Sequence, residues 1–136
     1  MALAGGLSAG VALLLIGGLH GYWAEGGRWP GRTDDELAEM VIGPGMAPPP
    51  KGASWVVAAL LVGGAVLVLF AGFGSGAWIV RVGTVSVAAV LALRGLAGLV
   101  WSAVIRRAST FARLDRRYYS PLCLVVALSA LVALTG

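Results

Sequence analysis

One arginine lies well inside a long apolar stretch of the sequence. Arg94 falls within residues 77–105 and shares a helical face with Gly98, Trp101 and Ile105. A charged side chain at the centre of a membrane-spanning helix costs about 2.5–3.5 kcal/mol on insertion scales, so such a residue is a candidate functional group. We therefore expect Arg94 to bind or polarise an oxygen, with Trp101 beside it as a binding surface. The alternative is an arginine that satisfies helix-end carbonyls or pairs with a structural acid.

The second candidate is His20, the single histidine of the chain. A histidine exchanges protons near neutral pH, and Trp23 lies three residues further on the same helical face, where it could form an apolar wall or a stacking plane. His20 is therefore a candidate general acid or base. The alternative is a histidine that only satisfies a neighbouring carbonyl. Because it has no histidine or cysteine companion, no metal site is predicted, and no cofactor is expected.

Acidic and aromatic side chains complete the candidate site. Glu25 follows His20 closely, and either Glu25 or Asp115 could tune the histidine. Asp115 lies in a basic segment, where it either balances local charge or forms a buried partner for Arg94 or His20. The aromatic candidates are Tyr118 and Tyr119 as catalytic groups and Trp23, Trp29, Trp101 and Phe111 as substrate-binding groups.

The elements that position these residues follow from composition. Of the 136 residues, 59% are apolar and 12% are charged, whereas soluble domains have roughly 45–50% apolar and about 25% charged residues. This excludes a soluble globule. The formal net charge is +4, and the charged residues lie mainly between the apolar runs, as loop charges do. No nucleic-acid partner is therefore expected. The single cysteine, Cys123, excludes an internal disulfide framework and a paired-cysteine redox or metal site.

Four apolar runs have the length of about 20 residues that a membrane-spanning helix needs. We predict an all-α, polytopic membrane protein, a four-transmembrane-helix bundle in which residues 1–136 form a single domain. The first run is interpreted as a retained span, because no basic region precedes it as in a signal peptide. The predicted spans are residues 2–24, 53–73, 77–105 and 118–135.

The connections between these spans predict local structure and orientation. Thr33 followed by Glu36 is typical of a capping box, so a short amphipathic helix is expected over residues 34–41. Gly74-Ser75-Gly76 indicates a tight hairpin. Residues 25–52 and 106–117 contain eight Lys and Arg, against only Arg81 on the other side. The positive-inside rule then places these two loops in the cytoplasm and both termini outside.

Three separated segments carry a resemblance to a known family. They are HGYWAEGGRWP at residues 20–30, LRG at 93–95 and FARLDRRYYSPLC at 111–123. Together they resemble a family of small bacterial four-helix membrane proteins catalogued as domain of unknown function 3995. The resemblance implies a location in the bacterial cytoplasmic (inner) membrane. It implies no particular activity, because the family is one of unknown function. It also implies that five positions belong to the family pattern: His20, Trp23, Arg94, Asp115 and either Tyr118 or Tyr119.

These observations favour a membrane-embedded enzyme that performs acid–base chemistry on a lipophilic small molecule such as an isoprenoid. Isomerisation, cyclisation and hydrolysis all suit a site with acids, a base and aromatic rings. The alternative is a small homodimeric transporter, or a membrane subunit that binds a lipophile or an anion. The expected partners are membrane lipid and the substrate. A homo-oligomer is also compatible with the sequence.

Overall fold

The computed structural model describes residues 1–104 and 108–136 of the chain. Four segments are long and apolar enough to cross a membrane within these residues. These segments confirm the predicted all-α bundle. The short helix predicted in the first long connection is also present. The elements are α1 (Ala2–Ala24), α2 (Asp34–Val41), α3 (Lys51–Gly72), α4 (Trp78–Val104), α5 (Thr110–Leu114), a π-helical turn (Asp115–Tyr119), α6 (Ser120–Val132) and a 3₁₀ turn (Ala133–Thr135).

The fourth span begins earlier than the sequence indicates. It runs continuously from Thr110 to Thr135, whereas the apolar run predicts a start at Tyr118. Ser109 provides the physical reason, because its hydroxyl accepts the backbone N–H of Ala112 and caps a helix that begins inside the basic segment. Most of the predicted basic loop is therefore helical. Ile105, the predicted end of the third span, and Arg106 and Arg107, the first residues of the predicted basic loop, lie outside the described part of the chain.

The four spans form a ring in the order α1, α3, α4, α6, in which every neighbouring pair packs together. Each pair is antiparallel, as the contacts of four glycines show: Gly6 faces Gly72, Gly83 faces Leu67, Gly95 faces Leu124, and Gly5 faces Ser129. Helices α1 and α4 consequently run in the same direction across the diagonal. We call the end with Ala24, Lys51 and Val104 the connection end, and the opposite end the hairpin end.

Small residues bring the helices together. A Cβ on Gly6 would lie 2.7 Å from the Cα of Gly72, and a Cβ on Gly72 would lie equally close to Gly6, so the backbones of α1 and α3 touch there. The core between the helices contains Leu13 and Val68, both almost fully buried, among alanines. In a membrane, where lipid is as apolar as leucine, this close approach replaces the hydrophobic effect as the source of helix association.

Helix α2 docks at the connection end. Thr33 accepts the N–H of Glu36, as predicted, but the carboxylate of Glu36 accepts the N–H of Arg32 instead of that of Thr33. Leu37 and Ala38 are buried, while the acidic first turn is exposed. The helix is therefore amphipathic, and its apolar side packs toward α5.

Candidate functional site

Arg94 and Asp115 form an ion pair between the third and fourth spans. Nη2 of Arg94 donates to Oδ1 of Asp115 at 2.9 Å. The Asp115 side chain is only 1% exposed, whereas the Arg94 side chain is 42% exposed. Of the two alternatives for Asp115, charge balance in the basic segment and a buried partner, the structure has the buried partner, and that partner is Arg94.

A serine holds the second oxygen of the same carboxylate. The hydroxyl of Ser102 donates to Oδ2 of Asp115 at 2.7 Å, and Nη1 of Arg116 donates to the carbonyl of Ser102 at 3.0 Å. The π-helical turn that begins at Asp115 sets this geometry, since a π turn adds a residue and changes which side chains face the neighbouring helix. Both carboxylate oxygens are therefore hydrogen-bonded to α4.

Three polar atoms converge above Gly98. A Cβ built on Gly98 would overlap the hydroxyl of Ser120 and Nη1 of Arg94, and it would lie 2.7 Å from Oδ2 of Asp115. Ser120 is fully buried, and its hydroxyl has no hydrogen-bond partner among the described residues. Buried polar groups are nearly always hydrogen-bonded, so this hydroxyl is an exception that needs an explanation.

His20 is half-buried and hydrogen-bonded within its own helix. Its Nδ1 lies 2.9 Å from the carbonyl oxygen of Ile16. Because a carbonyl only accepts, Nδ1 must carry the hydrogen, and Nε2 of the neutral ring is left as an acceptor. The ring meets Trp23 edge-on, with a centroid distance of 4.9 Å. Nδ1 of His20 thus satisfies the carbonyl of Ile16, and Nε2 makes no hydrogen bond among the described residues.

His20 and Arg94 lie at the same depth in the bundle. A Cβ on Gly64 of α3 would lie 3.2 Å from Val87 on α4 and 3.9 Å from Leu13 on α1, which places these two residues level with each other. His20 and Arg94 each follow seven residues later on helices that run in the same direction, about 10 Å nearer the connection end. The two candidates are therefore level across the diagonal.

The two side chains differ in exposure, since His20 is half-buried whereas the Arg94 side chain is 42% exposed. His20 shares a helical stripe with Leu13 and Ala24, which are buried, and Arg94 precedes buried Gly98 by four residues. No hydrogen bond, ion pair or ring contact joins His20 to Arg94 or Asp115 among the described residues. The structure thus joins Arg94 to Asp115 and leaves His20 on a different helix, without a described contact to either of them.

Glu25 takes part in a different contact, at the end of α1. Its Oε1 accepts Nζ of Lys51 at 2.9 Å and Nε1 of Trp55 at 3.0 Å. The hydrogen bond from Lys51, together with that from Trp55, lowers the pKa of Glu25 below its ordinary value of 4.5. Glu25 thus ties α1 to α3 at the exposed connection end, and it makes no described contact with His20.

The first two predicted tryptophans build the turn after α1. Nε1 of Trp23 donates to the carbonyl of Trp29 at 2.7 Å, and the N–H of Trp29 donates to the hydroxyl of Tyr22 at 3.4 Å. Trp29 takes part through its backbone, and its side chain is exposed. Trp23 therefore positions both the His20 ring and the chain that leaves α1.

The remaining aromatic candidates divide into two groups. The Phe111 and Tyr119 rings pack at a centroid distance of 6.2 Å, and the hydroxyl of Tyr119 donates to the carbonyl of Met40 at 3.2 Å, which attaches α2 to the fourth span. Trp101 and Phe111 line a cleft of about 160 Å³ beside the chain that follows α2. Tyr118 is exposed, with the Arg117 guanidinium 5.4 Å from its ring centre.

Three residues of this cluster, Ser102, Ser120 and Arg116, were not among the predicted site residues. Ser102 could have been found, since it continues the four-residue spacing of Arg94 and Gly98. Ser120 could not, because it reaches this cluster only through the π-helical turn. Within residues 1–104 and 108–136, no three His, Cys, Asp or Glu side chains are grouped to hold a metal ion.

The site segments fall inside a match to a protein family. A family model described as "Protein of unknown function (DUF3995)" matches residues 13–130, which include His20, Arg94 and Asp115. No curated protein matches the chain significantly, and no solved structure does. The family description names no activity.

Proposed function

We propose that this chain, which belongs to the DUF3995 family, is a membrane-embedded enzyme that performs acid–base chemistry on a lipophilic small molecule. The observation that supports this proposal is the placement of His20 and Arg94 at the same level on diagonal helices, each next to buried residues of its own helix. Among the described residues, Nε2 of His20 and Nη1 of Arg94 make no hydrogen bond. A substrate lying between them would meet a proton acceptor on one side and a fixed positive charge on the other.

The proposed roles follow from the partners of each side chain. Neutral His20 removes or returns a proton through Nε2, because Nδ1 is held by the carbonyl of Ile16. Arg94 polarises an oxygen of the substrate, and Asp115 fixes its guanidinium in place beforehand, so little reorganisation is needed during reaction. The edge of Trp23 bounds the histidine. Isomerisation, cyclisation and hydrolysis are the reaction types that this pair supports.

The proposed orientation places the connection end in the cytoplasm and both termini outside. Its support is the excess of Lys and Arg in the two connections at that end. Reporter enzymes fused to the C-terminus test it: a reporter that is active only outside the cytoplasm should be active there. Activity of a reporter that works only in the cytoplasm would reverse the orientation.

Isotope incorporation tests the enzymatic proposal without a known substrate. The full chain is placed in lipid nanodiscs with a total lipid extract, in water enriched in both deuterium and oxygen-18, and the lipids are analysed by mass spectrometry. Isomerisation or cyclisation introduces deuterium on carbon, whereas hydrolysis introduces oxygen-18. We expect His20→Gln and Arg94→Gln to abolish the incorporation, and Arg81→Gln, an exposed arginine on the same helix, to retain it.

The same experiment separates the enzyme from a carrier. If the wild-type chain incorporates neither isotope, and a lipophile moves across a sealed liposome only when the chain is present, the enzyme proposal is wrong and the transport alternative replaces it. If incorporation persists in His20→Gln, the assignment of the proton-transfer group is wrong.

A further inference from the structure

A groove of about 590 Å³ runs between α1 and α3 toward the connection end. Gly17 and Ala58 form its buried floor, while its rim is exposed. Small residues leave the groove unfilled, since a Cβ on Gly18 would meet no atom within 4 Å. We infer that this groove binds phosphatidylethanolamine, a phospholipid whose headgroup carries a primary ammonium and a phosphate.

The inner part of the groove suits an acyl chain. Leu14 on α1 and Val62 on α3 line it there, and both are 42% exposed. From Leu14 to Glu25 the groove follows eleven residues of the chain, or about 16 Å at 1.5 Å per helical residue. The small floor residues would allow an extended apolar chain to lie against both helices over this length.

The end of the groove has the composition of a membrane–water interface. Tyr22 and Trp55 line it there and are 48% and 47% exposed, and these two residue types are enriched at the level of lipid headgroups. Glu25 lines the same end, with a side chain that is 57% exposed. A lipid whose acyl chain follows the groove would therefore place its headgroup beside Glu25.

Glu25 and Lys51 present opposite charges side by side at this end. Nζ of Lys51 donates to Oε1 of Glu25 at 2.9 Å, and both side chains are more than half exposed. Oε2 of Glu25 makes no hydrogen bond among the described residues, and the Lys51 ammonium has three donors. Each of the two charges can therefore bind a further group.

The helix ends add to the same pattern of charge. Glu25 follows the last residue of α1, where the helix dipole is negative, and Lys51 begins α3, where the dipole is positive. Each side chain therefore has the sign of its helix end, the reverse of the arrangement that stabilises a helix. A zwitterion with its ammonium toward Glu25 and its phosphate toward Lys51 complements both charges and both dipoles.

The same pair distinguishes between common headgroups. It has no net charge, so it provides no general attraction for an anionic lipid, and a glycerol headgroup would offer no cation to Glu25. A choline headgroup carries a cation without N–H donors, so it cannot donate to a carboxylate. A primary ammonium supplies both the charge and the donors, which makes a charge-assisted hydrogen bond to Oε2 possible.

Lipid binding to the delipidated full-length protein tests this inference. Native mass spectrometry in detergent micelles compares phosphatidylethanolamine, phosphatidylcholine and phosphatidylglycerol with identical oleoyl chains. We expect the first lipid to bind about 2- to 5-fold more tightly than the other two, the effect of one exposed ionic contact. Glu25→Gln should remove this preference and leave the affinity for phosphatidylcholine unchanged. The control is Asp34→Asn, which breaks another exposed ion pair, with Arg28, and should retain the preference.

A second pair of variants tests the groove itself. Gly18→Leu places a side chain in the groove. Gly63→Leu adds the same side chain at an exposed position of α3 that does not line the groove and where a Cβ likewise meets no atom within 4 Å. Gly18→Leu should weaken the binding of all three lipids by a similar factor, and Gly63→Leu should bind them as the wild type does.

Three results would overturn the inference: equal affinities of the wild type for the three lipids, a preference that is unchanged in Glu25→Gln, or unchanged binding in Gly18→Leu. Tighter binding of phosphatidylglycerol would also overturn it and assign the groove to an anionic lipid. A protein dimer that Gly18→Leu dissociates would assign the groove to a second copy of the chain instead.

This inference does not depend on the proposed function, because His20 and Arg94 are not among the described residues that line the groove. Loss of the lipid preference would leave the isotope experiment unaffected, and absence of isotope incorporation would leave the lipid site in place.

Discussion

The ion pair between Arg94 and Asp115 joins α4 to the fourth span through a buried acid and a half-exposed base. Because of this difference in burial, leaving Asp115 without its partner should cost more stability than leaving Arg94 without its partner. Without Arg94, the buried carboxylate of Asp115 would retain only the Ser102 hydroxyl as a donor within the part of the chain that the structure describes. Without Asp115, the Arg94 guanidinium would lose its acidic partner but would remain partly exposed, whereas the Asp115 carboxylate is almost fully enclosed.

We therefore expect Arg94→Gln to destabilise the fold more than Asp115→Asn does. The loss should be about 3 kcal/mol for Arg94→Gln, the low end for breaking a buried pair, since Arg94 is partly exposed. Unfolding of the purified protein in mixed detergent micelles, followed by circular dichroism, measures both. The double variant should recover part of the loss, and Arg81→Gln should have little effect. Equal losses in the two single variants would contradict the asymmetry.

Substitution of Gly98 should be disruptive, and substitution of Gly18 should not. A Cβ at Gly98 would overlap Ser120 and Arg94, whereas a Cβ at Gly18 would meet no atom within 4 Å. Gly98→Ala should destabilise the bundle by about 1–3 kcal/mol through overpacking. Gly18→Ala should be neutral or stabilising by up to about 1 kcal/mol, because alanine favours a helix more than glycine does. The detergent unfolding assay compares them, and similar stabilities would argue against the crowding at Gly98.

The hydroxyl of Tyr119 should hold α2 against the fourth span. Tyr119→Phe removes its hydrogen bond to the carbonyl of Met40, at a cost of about 1 kcal/mol. We expect faster proteolysis within residues 42–50 and little change in global unfolding. The matched control is Tyr118→Phe, since Tyr118 is exposed and makes no described hydrogen bond through its hydroxyl. If both variants are cleaved at the wild-type rate, the hydrogen bond from Tyr119 to Met40 does not hold α2 in place.

The contact between Glu25 and α3 should depend on pH. Because Lys51 and Trp55 lower the pKa of Glu25 in the folded state, the stabilisation is present above the ordinary value of 4.5 and is lost as pH falls through the lowered pKa. Trp55 fluorescence, taken as the difference from Trp55→Phe, should therefore change with a midpoint below pH 4.5. Lys51→Gln should move the midpoint upward, and Glu25→Gln should remove the transition. An unmoved midpoint in Lys51→Gln would contradict this assignment.

The sequence by itself determined the membrane architecture. Hydrophobicity is a property of composition and run length, so the four spans follow without tertiary information. The cap of α2 follows equally well, since Thr33 bonds to a backbone group three residues away, whereas the Ser109 cap within the basic segment was not predicted. The expensive placement of Arg94 in an apolar run also identified it as a residue that needs a partner or a ligand, because the cost of burying a charge does not depend on which neighbour relieves it.

Only the tertiary structure decided which neighbours those are. Asp115 could have balanced local arginines or paired with His20, and the π-helical turn directs it to Arg94 and Ser102. The convergence of Ser120 and Arg94 above Gly98, and the equal depth of His20 and Arg94, depend on the register between packed helices. That register is set by close contacts such as Gly6 against Gly72. Residues brought together by packing are distant in the chain, so no local spacing predicts them.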